Sequence, residues 1–124
     1  MRVELTRDSV AMGDDVWAPH AAVREVPDDA SVQDVLDAVR GTGYLASIAG
    51  GRATWIAETA DGTALAVVAQ QWPAARPLAA GQGPIAGLAD AGGVVRLHFA
   101  YRMQADPEAE HRRLTTDRGG HRAP

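Results

Sequence analysis

The 124-residue chain contains no cysteine and no lysine, and only one phenylalanine. The absence of cysteine excludes disulfides, thiolate metal ligands and cysteine nucleophiles, and it is typical of proteins from reducing compartments. The absence of lysine excludes Schiff-base catalysis and the phosphate-binding lysine of a P-loop. No apolar run approaches the roughly 20 residues of a membrane span, and the N-terminus lacks the apolar stretch of a signal peptide. We therefore expect a soluble, cytoplasmic protein.

The net charge of −4 is unevenly distributed. Residues 1–40 contain nine acidic residues and four arginines, whereas residues 41–104 contain three acidic residues and four arginines. Binding to nucleic acid depends on basic patches that displace counterions, so an acidic first third disfavours it. The same charge favours a basic protein as partner.

Length and composition predict one domain, because 46% apolar and 23% charged residues are ordinary values for a globular chain. We place this domain at residues 1–104. Residues 105–124 are polar, charged and rich in small residues, which predicts a flexible, disordered C-terminal tail.

One helix is strongly indicated after Ser31, whose hydroxyl can cap the amide of Asp34. Arg40 suits the C-terminal end of the helix dipole, and Gly41 is predicted to end the helix in the left-handed conformation. The apolar residues recur at helical spacing: Val32, Val35, Leu36 and Val39.

Strands are predicted on both sides of this helix. Asp61-Gly62 is typical of a hairpin turn, and residues 65–69 are apolar at every position, which indicates a strand buried on both faces. Residues 72–93 read mainly as loop, with one helical turn at 85–88. The predicted strands span residues 2–7, 21–26, 53–58, 64–70 and 94–103.

This order of elements resembles the β-grasp (ubiquitin-like) fold. The sequence VPDDASV at 26–32 is similar to that family's second strand and helix start, and VRLHF at 95–99 to its closing strand. The resemblance covers residues 1–104 in element order. It implies an α+β fold in which one helix packs across a mixed sheet of about five strands, and it includes no functional motif.

Asp14, Asp15 and His20 lie close together in the segment between the first two strands. Carboxylates and an imidazole that converge in one loop can bind a divalent metal. The same Gly-Asp-Asp sequence is typical of a turn, because aspartate accepts hydrogen bonds from nearby backbone amides. The loop is thus a candidate metal site, and no cofactor is predicted.

Arg96, His98 and Arg102 share one face of the last strand, since side chains alternate along a strand. They are a candidate anion site in which His98 would titrate near neutral pH. The alternative is an ordinary solvent-facing sheet surface.

Trp17 and Trp72 lie in segments dense with loop residues. Tryptophan is enriched in binding hot spots, so both are candidate anchors for a partner. The alternative is that both rings cover edges of the core.

No catalytic constellation is assembled in the sequence, so we expect a non-enzymatic protein-binding module. It would recognise another protein through its acidic surface, in one version as an immunity- or antitoxin-like neutraliser of a basic enzyme. Two alternatives stay open: a small metal-dependent or acid–base enzyme that uses the loop with Asp14, and a structural subunit of a larger assembly.

Overall fold

The computed structural model describes residues 1–8, 21–42, 44–45, 53–102 and 106–121, with side chains up to residue 115 in the last segment. Its strands are β1 (Arg2–Arg7), β2 (Ala22–Glu25), β3 (Thr54–Thr59), β4 (Ala64–Ala69), β5 (Arg76–Pro77) and β6 (Val94–Tyr101). Its helices are α1 (Val32–Gly41) and α2 (Pro107–His121), and short 3-10 turns span Ala79–Gly81 and Ile85–Leu88. Neither helix of these segments has the length and apolar composition that crossing a bilayer requires.

The six strands of the described segments form one mixed sheet in the order β2-β1-β6-β3-β4-β5. The first and last strands of the chain, β1 and β6, are neighbours inside the sheet and run parallel. Every other neighbouring pair is antiparallel. The predicted α+β class, with a mixed sheet and a packed helix, is confirmed.

The main core lies between α1 and one face of the sheet. Trp55, Leu97 and Phe99 are at most 2% exposed and pack in the same cluster as the apolar stripe of α1. Burying each such side chain stabilises the fold by about 1.5–3 kcal/mol. The stripe predicted from helical spacing is therefore the face that holds α1 on the sheet.

Helix α1 begins as its sequence predicts. The Asp34 amide donates to the Ser31 hydroxyl over 2.9 Å, and the Ser31 amide donates to the Asp34 carboxylate over 3.5 Å, which completes a capping box. Its other end differs, and the prediction for Gly41 is wrong. Thr42 caps the helix in the right-handed conformation, because its hydroxyl donates to the Val39 carbonyl over 2.7 Å.

Strand β4 is buried on both faces, as the continuous apolar sequence of residues 65–69 predicted. Val67 and its register neighbour Ile56 are 0% and 4% exposed although neither belongs to the main core cluster. Helix α2 contacts β4. The sheet therefore carries a helix-covered region outside the α1 core.

The segment 105–124, predicted to be a flexible tail, contains helix α2. Pro107 occupies its first position and the Asp106 carboxylate accepts the Glu108 amide over 3.2 Å, so the helix start is locally satisfied. Helix α2 contacts the sheet region through two ion pairs, Arg76–Glu108 at 2.8 Å and Arg102–Glu110 at 3.4 Å. In addition, His111 Nε2 lies 3.1 Å from the Pro77 carbonyl oxygen. These contacts are polar, and the segment has no apolar stripe from which a helix could be predicted.

Candidate protein-binding surface

Strand β2 is one edge of the sheet, and within the described residues it pairs with β1 alone. Met1 and Val26 exchange two hydrogen bonds, of 2.7 Å and 2.9 Å. In an antiparallel ladder such doubly bonded pairs alternate with unbonded pairs. The amide and carbonyl groups of Arg24 and Val26 therefore point towards β1, whereas those of Val23 and Glu25 point outwards from the sheet.

The side chain of Val23 is exposed at this edge. It retains 50% of its accessible surface and is the exposed large hydrophobic residue of the described segments. Its neighbours Arg24 and Glu25 are exposed and charged, a pattern that blunts uncontrolled strand pairing at sheet edges. The edge thus presents one apolar side chain between charges, beside backbone groups that can still pair.

A groove of about 210 Å³ runs between β2 and α1. Arg24, Glu25 and Val26 line it from the strand side, and Val35, Ala38 and Val39 line it from the helix side. The methyl side chain of Ala38 is small and exposed, so the helix leaves room beside the strand. The groove offers apolar contacts next to the outward-pointing backbone of β2.

The surroundings of β2 are acidic. Residues 21–42 contain five acidic residues and two arginines. One of these arginines, Arg40, is directed at the loop after β4, where it donates to the carbonyls of Trp72 and Gln70. The carboxylates of Glu25 and Asp28 are 74% and 87% exposed, and the Met1 ammonium lies 3.6 Å and 3.0 Å from them. Asp37 accepts the Ala75 amide over 2.9 Å and so is directed away from β2. The acidic excess beside β2 therefore comes from Glu25, Asp28 and Asp29, and the Met1 ammonium offsets part of it.

The structure places the predicted anion-binding residues on a polar sheet face, each beside a carboxylate. Arg96 bonds with Asp90, and its Nε lies 3.2 Å from Glu4. Arg102 lies 3.4 Å from Glu110. Both arginines are therefore partnered within the protein, and anion binding here stays a prediction.

His98 forms the centre of a hydrogen-bonded chain on that face. Its Nδ1 is 2.8 Å from the Thr6 hydroxyl, and its Nε2 is 2.9 Å from Asp8. The second oxygen of Asp8 accepts the Tyr101 amide over 2.9 Å. Glu58 lies opposite His98 in the pairing of β3 with β6. Burial raises the pKa of Glu58, and the nearby His98 offsets part of that rise. Both ring nitrogens of His98 are thus engaged by the protein itself.

Trp72 is half-buried in the turn region after β4. The Arg76 guanidinium lies 3.8 Å from its ring centroid, a cation–π contact, and Arg76 also pairs with Glu108. One face of the ring is therefore covered within the molecule. A role of Trp72 as a partner anchor stays a prediction.

A second concavity, of about 420 Å³, lies beside the β3–β4 turn and includes Asp61 and Asp90. Hydrogen bonds from Thr59 and Thr63 hold the pKa of Asp61 below its usual value. The Val94 amide and Arg96 do the same for the pKa of Asp90. Each carboxylate closes a local turn, so these acids shape the loops that bear them.

The candidate metal loop lies outside the described residues, and this applies to Asp14, Asp15 and His20 as well as to Trp17. Among the residues that the structure does describe, no group of three or more histidine, cysteine or acidic side chains is placed to hold a metal ion. The metal site therefore stays a prediction.

Sequence reasoning missed the edge strand as a surface. The strand at 21–26 was predicted, but its alternation is poor and gives no sign of an edge position. The available signal was the sequence Val23-Arg24-Glu25, in which charges directly follow a lone β-branched residue. The hydrogen-bonding direction of each residue came from the pairing of Met1 with Val26.

Comparisons of the chain with protein-family models, with curated proteins and with solved structures found no match. Its function must therefore be inferred from its own surface. The polar face around His98 and the region of Trp72 are occupied by internal contacts. The edge strand β2, by contrast, combines outward-pointing backbone groups, an exposed valine, an apolar groove and an excess of acidic residues.

Proposed function

We propose that the protein is a small, non-enzymatic protein-binding module that recognises a basic protein through β2 and the acidic surface around it. One concrete version is an immunity- or antitoxin-like neutraliser of a basic enzyme in the cytoplasm. The observation that carries the proposal is the outward edge of β2, with Val23 exposed among carboxylates.

The three components of this surface have different roles in association. Exposed carboxylates such as Glu25 and Asp29 attract a basic partner and raise the association rate. Val23 and the groove beside α1 supply apolar area that is removed from water on binding. The backbone groups of β2 fix the register of what binds.

Affinity purification of the tagged protein from its native cells, at low and at high salt, tests the proposal. We expect one near-stoichiometric basic partner whose recovery falls as salt is raised, because exposed charges are screened. An obligate complex that is insensitive to salt would instead indicate a structural subunit. Recovery of nothing above background would contradict the proposal, and a metal titration of the loop with Asp14, Asp15 and His20 would follow.

Neutralising single carboxylates near β2 is expected to weaken the complex. Glu25→Gln and Asp29→Asn should each raise Kd by roughly two- to fivefold, because an exposed ion pair contributes up to about 1 kcal/mol. The loss should be mainly in the association rate. Surface plasmon resonance at two salt concentrations measures both quantities.

Glu108→Gln is the matched control, because it changes the net charge equally at an exposed carboxylate on α2. It should leave Kd within about twofold of the wild type, since its charge lies away from β2. Equal effects of all three variants would indicate that net charge alone, rather than this surface, sets the affinity.

A further inference from the structure

We infer that the partner segment adds to β2 as an extra strand, and that it is an extended segment in which basic and apolar residues alternate. This inference rests on the proposed function and names the partner of the same surface. It follows from three features of the described residues: the direction of the β2 backbone groups, the two faces beside the edge, and the charge around them.

The outward backbone groups determine the mode of binding. Val23 and Glu25 each direct one amide and one carbonyl away from β1, so an added strand gains up to four main-chain hydrogen bonds. Four exposed groups at alternate positions fit an extended chain, whose groups repeat at the same spacing. A helix satisfies its own backbone groups and could not pair with them.

The two faces beside the edge determine the alternation. Side chains of an added strand would point alternately to the groove beside α1 and to the face that carries Val23. On the groove side, Arg24 and Glu25 lie at the strand, and the apolar surface of Val26, Val35 and Ala38 suits apolar side chains. On the other side the 74% exposed carboxylate of Glu25 lies near Val23, and it suits basic ones. Glu4 on the same face is already paired with Arg2 and Arg96.

The charge also decides between a foreign segment and a second copy of this chain. Pairing β2 of two copies would bring together two molecules that each carry a net charge of −4, and net charge of one sign disfavours self-association. A basic segment gains from the same surface. The occupant is therefore a segment of a basic partner.

A seven-residue peptide of alternating arginine and valine, blocked at both ends, is the probe. Titrated into the 15N-labelled full chain, it should shift the amide signals of Val23, Glu25 and the groove residues, and leave His98 and Trp72 unchanged. The same peptide with glutamate in place of arginine should bind at least about tenfold more weakly, because it repels the acidic edge. Absence of binding, or binding elsewhere, would overturn the inference.

Backbone N-methylation of the probe tests strand addition without any change to the protein. Only alternate amides of an added strand face β2. Methylation of one alternate set should therefore weaken binding by about tenfold or more, since each lost hydrogen bond has a measurable cost, and methylation of the other set should have little effect. Equal loss for both sets, or loss for neither, would overturn the inference.

Proline substitutions test the same contact from the side of the protein. Val23→Pro and Glu25→Pro remove outward amides and leave those that bond to β1, and proline is tolerated at such edge positions. Each should weaken binding of the arginine–valine peptide by about tenfold or more. Val23→Thr keeps the amide and the β-branched shape, so its affinity for the peptide should stay within about threefold of the wild-type value. Unchanged binding by folded proline variants would overturn the inference.

The outcomes separate the two proposals. If affinity purification yields a basic partner but the peptide does not bind at β2, strand addition fails and the protein-binding function stands. If sedimentation shows a dimer that the proline variants dissolve, the occupant is a second copy and the inference fails. If no partner is recovered under any salt condition, the proposed function itself fails.

Discussion

Replacement of Gly81 by alanine is expected to lower the free energy of unfolding by about 3 kcal/mol or more. A Cβ at this position would fall on the carbonyl oxygen of Leu65 and lie 2.8 Å from its carbonyl carbon. That carbonyl belongs to β4 and accepts the Leu78 amide over 2.8 Å, so it cannot move without the loss of a hydrogen bond. Backbone shifts forced by overpacking cost about 1–3 kcal/mol and occasionally more. Urea unfolding followed by tryptophan fluorescence measures the change.

Gly87→Ala is the control for this prediction. Gly87 lies in the next 3-10 turn, has no atom within 4 Å of the position of a Cβ, and does not have a positive φ. Its replacement should leave the free energy of unfolding unchanged or raise it by up to about 1 kcal/mol, because alanine reduces the conformational entropy of the unfolded chain. Equal stability of the two variants would show that Ala79–Gly81 does not pack against β4 as described.

Leu36→Ala is expected to lower the free energy of unfolding by about 2–5 kcal/mol. Leu36 is 1% exposed at the centre of the α1 stripe, so its removal leaves a cavity between helix and sheet. Because α1 also forms one wall of the β2 groove, a variant that loosens the helix should lose binding at temperatures where its fold is still retained. Chemical denaturation and peptide binding, measured on the same variant, check both consequences.

Leu88→Ala provides the matched control. This leucine packs at the rim of the same core and is partly exposed. Its truncation removes the same atoms with less buried area, so the expected loss is about 1 kcal/mol. A smaller loss for Leu36→Ala than for Leu88→Ala would contradict the central position of α1 in the core.

Local signals in the sequence were sufficient for most of the sheet and for α1. The capping pair Ser31 and Asp34, the apolar stripe of α1 and the turn at Asp61-Gly62 act within a few residues of each other. Physical rules for caps, periodicity and turns therefore predict them directly. Gly62 indeed has a φ of 89°, the conformation for which the turn selects glycine.

Elements held by distant contacts could not be predicted in this way. Strand β5 has two residues, including a proline, and exists because Arg76 and Pro77 pair with β4. Helix α2 has no apolar stripe. It is joined to the sheet region by ion pairs such as Arg76–Glu108, whose two residues are 32 positions apart in the chain. The Gly41 prediction failed because a threonine hydroxyl one residue later provides a competing cap.

The polar sheet face shows the same limit for sites. Alternation correctly placed Arg96 and His98 on one face, but it could not show that Glu4 and Asp8 lie beside them. These carboxylates come from β1 and the residue after it, about 90 positions earlier in the chain, and reach the face through the parallel pairing of β1 with β6. Whether a row of cations is open to ligands therefore depends on topology, which the local pattern does not contain.

Hydrogen exchange at β2, measured on the protein alone and in complex with its basic partner, tests the central claim most directly. In the protein alone, the Arg24 and Val26 amides should be protected by β1, while those of Val23 and Glu25 exchange rapidly. In the complex, the Val23 and Glu25 amides should become protected as well. Rapid exchange of both amides in the complex, with protection gained elsewhere, would contradict the assignment of β2 as the binding edge.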